Sequence, residues 1–269
     1  MVRETTVHDI ADRLGVELDE ATIEEYTEIA TALSEQFGAL EPHTPEHEEA
    51  REVVEGDDEY NALRYRFELP ETDGPLADLS VGVKDNIAVA GVPMHCGSAA
   101  VAFTPDYHSA VVERLHEAGA AVTATTNMDE FAYFTTGETC AFDPIRNPRV
   151  AECVPGGSSS GSAAAVAAGI LDAALGSDTG GSVRIPASFC GVIGLKPTHR
   201  AVPRFGFADL APSLDCVGPL GPDVETVARV YEAIAGPHPA DPSLLASPTP
   251  SSVAAGLNDE VDGLYLGVV

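Results

Sequence analysis

Pro155-Gly156-Gly157-Ser158-Ser159-Ser160-Gly161-Ser162, then Ala163 to Leu175, then Gly176-Ser177-Asp178-Thr179-Gly180-Gly181-Ser182-Val183-Arg184: this is the stretch that decides the fold. It holds two loops of glycine and hydroxyl residues. Between them lie an Ala-rich run that reads as a helix and a short apolar piece that reads as a buried strand. Glycine lets backbone approach a ligand closely, with amide N–H groups free to face an anion. One helix and one strand are enough to bring two such loops to a single site.

Upstream, Leu79-Ser80-Val81-Gly82-Val83-Lys84 reads as a buried strand with a lysine at its end, broken by Asp85-Asn86. Ser109 is placed to cap a helix over Ala110–Ala118 that stops at Gly119. Ala121–Thr125 reads as a second buried strand, and strand, helix and strand in this order imply a right-handed parallel crossover. Asn127–Phe134 reads as a short helix. Downstream, Gly191–Leu195 reads as a strand, followed by Pro- and Gly-rich turns up to Pro222. Val224–Ala235 is an amphipathic helix with Val227, Val230, Tyr231 and Ile234 on one side. Residues 236–256 form a Pro/Ser/Ala connection, and Leu264–Val269 has a strand pattern.

The expected fold class is therefore α/β, with a mixed, largely parallel central sheet flanked by helices. Residues 1–70 precede it as an acidic helical extension, and 71–269 form the core. In the extension, Ile10, Leu14, Val16, Ile23, Tyr26, Ile29 and Leu33 recur at helical spacing. Two helices fit, broken near Gly15–Asp19, with a third charged piece around Pro45–Val54 and a linker at Pro70–Pro75.

The net charge of −29 implies a chain kept soluble in high salt, and the absence of any basic stripe disfavours binding to nucleic acid through phosphates. Only two lysines occur, Lys84 and Lys196. The five cysteines form no C-x-x-C pair, which suggests free thiols in a reducing compartment. No signal peptide is visible at the N-terminus, and the longest apolar run, Ala163–Leu171, is too short to span a membrane. The expectation is a soluble, cytoplasmic protein with no metal, no cofactor and no membrane partner.

Lys84 stands out chemically. An ammonium buried at a strand end loses proton affinity, and the neutral amine is a usable base. The plainer reading is a salt bridge, with Asp85 or another acid. Ser182 ends a run of backbone N–H groups that suits an oxyanion hole. Asp178 is suited to bracing that loop through its amides, and Arg184 to holding it through Asp178. Gly157-Ser158-Ser159-Ser160-Gly161 also matches the G-x-S-x-G nucleophile elbow, which would make Ser159 the nucleophile. The elbow needs a strand immediately before it, and Val154-Pro155 provides none. A phosphate-cradling G-x-x-x-x-G-K-[ST] is absent.

The block from Gly156 to Gly169, followed by Ala174 to Thr198, resembles the amidase signature family, and Val81–Pro93 and Arg146-Asn147-Pro148 agree. The resemblance covers Leu79 to about Gly221. It implies a Ser–Ser–Lys triad with Ser182 as nucleophile, Ser158 as the bridging serine behind a cis peptide bond, and Lys84 as base. It also implies oxyanion amides from Thr179, Gly180, Gly181 and Ser182, with Ser159, Asp178 and Arg184 in support. Family members generally run well past this chain's length, so the resemblance predicts a core that is incomplete at its C-terminus. His199-Arg200 stand where the family commonly has an aromatic residue and a glycine.

The function implied first is a free-standing amidase that hydrolyses a small aliphatic or aryl amide, its small-molecule substrate, to the acid and ammonia. Second is the A subunit of a tRNA-dependent amidotransferase, which takes ammonia from glutamine; Thr126-Asn127-Met128-Asp129-Glu130-Phe131 and Ser213-Leu214-Asp215 resemble that branch. Third is a non-catalytic remnant that folds with another chain. A homodimer is compatible with all three.

Overall fold

The computed structural model describes residues 3–38, 51–70, 72–244, 253–257 and 263. They fall into two compact units, Met1–His47 and Glu48–Val269. The first unit holds helices α1 (Glu4–Leu14) and α2 (Glu20–Gly38). Gly15 ends α1 in the left-handed conformation, φ 67°, and its N–H bonds back to the Asp12 carbonyl. Asp19 caps α2, accepting from Thr22 N at 2.8 Å. The break between the helices thus lies where glycine and aspartate put it. Of the third helical piece, residues 45–50 lie outside the described residues, and 51–53 are not helical.

The second unit is built on strands β1 (Val54–Glu55), β2 (Leu63–Arg66), β3 (Ser80–Lys84), β4 (Ala121–Thr126), β5 (Ala173–Asp178), β6 (Ile193–Gly194) and β7 (Cys216–Gly221). Their order across the sheet is β1-β2-β4-β3-β5-β7-β6. The sheet is mixed. Its centre, β4-β3-β5, is parallel, and the strands on both flanks run antiparallel. Because β1 and β2 join the sheet, the core begins well before residue 71.

Helices cover both faces, as parallel strands buried on both sides require. On one face, α3 (Ala110–Glu117) and α6 (Val224–Ile234) bury Val111, Val112, Leu115, Val230 and Ile234 against Val81, Val83, Val122, Leu175 and Val217. On the other, α4 (Ser160–Ala167) and α5 (Arg184–Cys190) sit against Ala124, Leu171 and Leu220 through alanines and Val183. The small side chains of α4, all buried from Ser160 to Val166, bring its axis close to the sheet. Ser162 Oγ uses that closeness to donate to the Leu175 carbonyl at 3.0 Å. Asp223 caps α6 through Thr226 N at 2.7 Å. Ser109 stands at the start of α3 but makes no cap bond, and its hydroxyl is buried without a partner among the described residues.

Two local readings of the sequence change. Within Asn127–Phe134 only one 3₁₀ turn forms, Glu130–Ala132, because Phe131 and Ala132 take positive φ. The Pro- and Gly-rich turns before Pro222 contain β7, whose six residues are all buried between β5 and β6. Arg184–Cys190 is helical despite Pro186, which falls in the first turn, where no intrahelical N–H bond is lost. The strand pattern of Leu264–Val269 lies outside the described residues. No described helix is long and apolar enough to cross a membrane.

Candidate active site

β3 and β5 are neighbours and run parallel, so Lys84 and Asp178 both lie at the carboxyl ends of adjacent strands. This is where open α/β sheets place their sites. Lys84 is fully buried. Its Nζ lies 2.7 Å from Ser158 Oγ and 2.9 Å from Ser177 Oγ. No described ion pair includes it. Asp85, the acid next to it, instead accepts from the amides of His95 and Gly97. The salt-bridge reading of Lys84 with Asp85 is therefore set aside. Burial pulls the Lys84 ammonium down to about 7, against the opposing pull of Asp129, Asp178, Cys96 and Asp215. Burial also lifts Asp85 to about 7, in spite of the donors from Gly97 and His95.

Ser158 follows a cis peptide bond from Gly157. Its carbonyl accepts from Asp129 N at 3.2 Å, and Gly157 N donates to the Thr135 carbonyl at 2.8 Å. Gly157 is required by space: a Cβ there would lie 1.9 Å from Asp129 Oδ2. Ser159 turns away from Lys84. Its Oγ donates to the Ser177 carbonyl and accepts from Ser177 N, both at 3.2 Å, which ties the first loop to β5. That hydroxyl is buried and engaged on both sides, and Ser159 precedes α4 without a strand before it, so the nucleophile-elbow geometry is not met.

Ser182 joins the two loops through its backbone, its carbonyl accepting from Ser159 N at 3.1 Å. It is 4% exposed. No hydrogen bond between Ser182 Oγ and Ser158 Oγ exists among the described residues, so the structure brings together the lysine and Ser158 but leaves the second link open. Asp178 gathers the loop that carries Ser182. It accepts from Gly181 N at 2.8 Å and Val183 N at 3.1 Å, and forms a two-pronged pair with Arg184 at 2.9 and 3.0 Å. Burial pushes the Asp178 carboxyl up, but the Arg184 guanidinium and the amides of Val183 and Gly181 together hold it below its ordinary range. Gly181 N is therefore committed to Asp178 and drops out of the oxyanion set. Among the described residues, Thr179 N, Gly180 N and Ser182 N have no acceptor.

Four residues beside the site escaped the sequence reading. Ser177 makes the second contact with Lys84. Asn86 Nδ2 donates to Ser177 Oγ at 3.2 Å. Asp215 takes the amides of Leu210 and Ala211, each at 2.8 Å, together with the Thr179 hydroxyl. Asp129 accepts from Gly137 N, Thr139 N and Thr139 Oγ1. All four sat in stretches already singled out by resemblance, but nothing local marked any of them as a neighbour of Lys84. No group of His, Cys, Asp or Glu among the described residues could hold a metal ion.

Fold and site together define an α/β protein with a buried amine against two hydroxyls at the carboxyl ends of parallel strands. The family model named Amidase matches residues 25–269, and the chain belongs to that family. The A subunit of the glutamyl-tRNA(Gln) amidotransferase of Haloarcula marismortui is 52% identical over 198 residues, 73% of this chain and 47% of the relative. The protein of the same name from a Synechococcus strain is 44% identical over 255 residues, 93% of this chain and 50% of the relative. Among solved structures, the Thermotoga maritima protein of that name has a TM-score of 0.65 at 40% identity, covering 75% of this chain and 43% of that one. The peptide amidase of Stenotrophomonas maltophilia has a TM-score of 0.60 at 38% identity, covering 70% and 37%. The chain spans about half the length of the curated relatives it matches.

Proposed function

We propose that this chain cleaves a carboxylic amide C–N bond, with Ser182 as nucleophile, Ser158 as proton carrier and Lys84 as base. The observation that carries this reading is the unpaired, buried Lys84 amine, 2.7 Å from Ser158 Oγ. Above about pH 7 the amine is neutral and has a lone pair for the Ser158 proton. Ser158 takes the Ser182 proton in turn, and Ser182 Oγ bonds to the amide carbon. The amides of Thr179, Gly180 and Ser182 stabilise the oxyanion, each such donor being worth about 10²–10³ in rate. Ser158 returns a proton to the departing nitrogen, and ammonia leaves. Water then adds to the acyl-serine, the ester C–O bond breaks, and the acid departs with Ser182 restored.

The relatives' shared name favours the side-chain amide of glutamine as the ammonia source, and a setting beside other subunits of an amidotransferase. This puts the amidotransferase reading ahead of the free-standing amidase that the sequence suggested first. The likeness to a peptide amidase supports the free-standing enzyme as the second reading. A cytoplasmic, high-salt setting fits both, given the acidic composition and a relative from Haloarcula.

The test is acylation of the purified chain by a fluorophosphonate probe at molar salt, alongside ammonia release from glutamine and from propionamide. Labelling that disappears in Ser182→Ala is expected. Labelling that persists in that variant, or a wild-type chain that neither labels nor releases ammonia, overturns the reading. Ammonia from propionamide but not glutamine would favour the free-standing amidase.

A further inference from the structure

Two carboxylates hold the loop that carries Ser182, and they hold it in different ways. Asp178 takes loop amides: the N–H groups of Gly181 and Val183 both donate to it. From the same loop Asp215 takes a side chain, the Thr179 hydroxyl, on its Oδ1. The sheet sets this up. β5 and β7 run antiparallel, and the last pair of their ladder is Asp178 opposite Cys216. The next residues outward are Thr179 and Asp215, and a side-chain bond joins them where the backbone ladder stops. Thr179 is therefore pinned without spending its N–H, which has no acceptor among the described residues. Gly181, pinned through its own N–H, has lost that donor.

Asp215 is itself fixed well enough to serve as a post. It is fully buried. Its Oδ2 accepts from Leu210 N and Ala211 N, each at 2.8 Å, and its own N–H donates to the Ala211 carbonyl at 2.9 Å. The turn from Leu210 to Asp215 thus closes on this carboxylate, and Oδ1 is the oxygen that meets Thr179. Gly180, on the far side of Thr179, is exposed and has nothing within 4 Å of where a Cβ would lie. Steadiness at this end of the loop falls to the Thr179 side chain.

We infer that Asp215 is a positioning residue: through the Thr179 hydroxyl it fixes the Thr179 backbone and keeps that N–H free for the oxyanion. The inference rests on the proposed acylation of Ser182. A donor helps most when its place is set before charge develops, because a loop that orders itself during the reaction gives back part of the gain.

Thr179→Val keeps the shape and removes the hydroxyl, and Thr179→Ser keeps the hydroxyl. Fluorophosphonate acylation at molar salt is followed as a rate and as a final labelled fraction. Thr179→Val should acylate about tenfold more slowly, short of the 10²–10³ lost with a whole donor, and still reach the wild-type fraction. Thr179→Ser should recover most of the rate. In ammonia release kcat should fall with KM unchanged, because the donor acts on the transition state. A merely structural role predicts a smaller labelled fraction at the wild-type rate. A wild-type rate in Thr179→Val, whatever the fraction, overturns the inference, and so do Val and Ser variants that are equally slow. Should Thr179→Val not fold, ¹⁵N relaxation of the wild-type chain decides. The Thr179 N–H should show an order parameter near about 0.85, like the bonded N–H of Val183, and a value more than about 0.15 below that of Val183 overturns the tether. A wild-type chain that does not label sinks the proposed reaction instead, and the order parameter still decides the tether.

Discussion

β3 and β5 are adjacent strands, each ending on a charged residue, and the fold treats the two charges in opposite ways. Asp178 at the end of β5 has its charge fully answered by the Arg184 fork and by the amides of Gly181 and Val183. Lys84 at the end of β3 has two hydroxyls and no ion pair. Asp178 is held below its ordinary pKa and stays ionised; Lys84 is pulled down to about 7. Pairing makes a brace, and burial without pairing makes an amine suited to the base proposed for it.

Taking the amine away breaks the contrast most sharply. Lys84→Met keeps the bulk and removes the base, and amide hydrolysis should fall by about 10²–10⁴-fold. Stability should hold or rise, since an unpaired buried ammonium is replaced by an apolar side chain. Ammonia release and the urea midpoint of the same variant check both halves. Loss of activity together with unfolding would mean that Lys84 holds the fold rather than the proton.

The brace is tested by Asp178→Asn. One oxygen and the charge are lost, and at least one loop amide is left without its acceptor. The cost is about 2 kcal/mol of stability, moderated because the Arg184 side chain is 52% exposed and regains water. Acylation of Ser182 should fall as well, by about tenfold, as its loop loosens. A change below about 0.5 kcal/mol in a denaturant titration would show that the loop stands without the pair.

The pH dependence sharpens the comparison further. Lys84 holds its proton to about 7 in the folded chain and to 10.5 when unfolded. Between those values the unfolded state binds more protons, so the Lys84 contribution to stability rises with pH there, and its penalty is fully present below about 7. Asp85 runs the other way. Its folded value is raised by burial from 3.8 to about 7, so its contribution is complete below 3.8 and is lost as pH rises through about 7. The neighbours together give a minimum of stability near neutrality. Activity should climb with pH and level off above about 7, the pH at which Lys84 becomes neutral. Rates that stay flat from pH 5 to 9 would remove Lys84 from the proton path. The stability of Lys84→Met, subtracted from wild type across the same range, isolates the alkaline limb.

What the sequence made legible follows its local physics. Ser80–Lys84, Ala121–Thr126 and Ala173–Asp178 are short apolar or small-residue runs bounded by breakers, and they became the parallel centre of the sheet. The helix pair before them was readable because Gly15 and Asp19 mark its turn. Cys216–Gly221 was not, since a strand holding Pro219 and two glycines reads as a turn until β5 and β6 enclose it. β1 and β2 were hidden by their charge and brevity. At the site, Lys84 was conspicuous as a lysine at a strand end in a chain that avoids lysine. Ser177 and Asn86 were not, because the bonds that tie them into the site, Lys84 to Ser177 and Asn86 to Ser177, join residues more than ninety positions apart. The commitment of Gly181 N to Asp178 was equally hidden: which amides stay free depends on where one carboxylate turns.

The smallest effect is expected at Ser159, and it bears on which serine reacts. Its hydroxyl bridges the N–H and carbonyl of Ser177, and a Cβ on Gly176 would lie 2.6 Å from it, so the two loops close on this one side chain. Ser159→Ala removes both bonds and leaves a buried N–H and carbonyl of β5 without that partner, a loss of about 1–2 kcal/mol. The amine of Lys84 and the hydroxyls of Ser158 and Ser182 are untouched by the change. Fluorophosphonate labelling should therefore persist within a few-fold of wild type while the urea midpoint drops. The reverse result, labelling abolished at full stability, would make Ser159 the nucleophile and Lys84 a bystander, and would undo the contrast between the two strand ends.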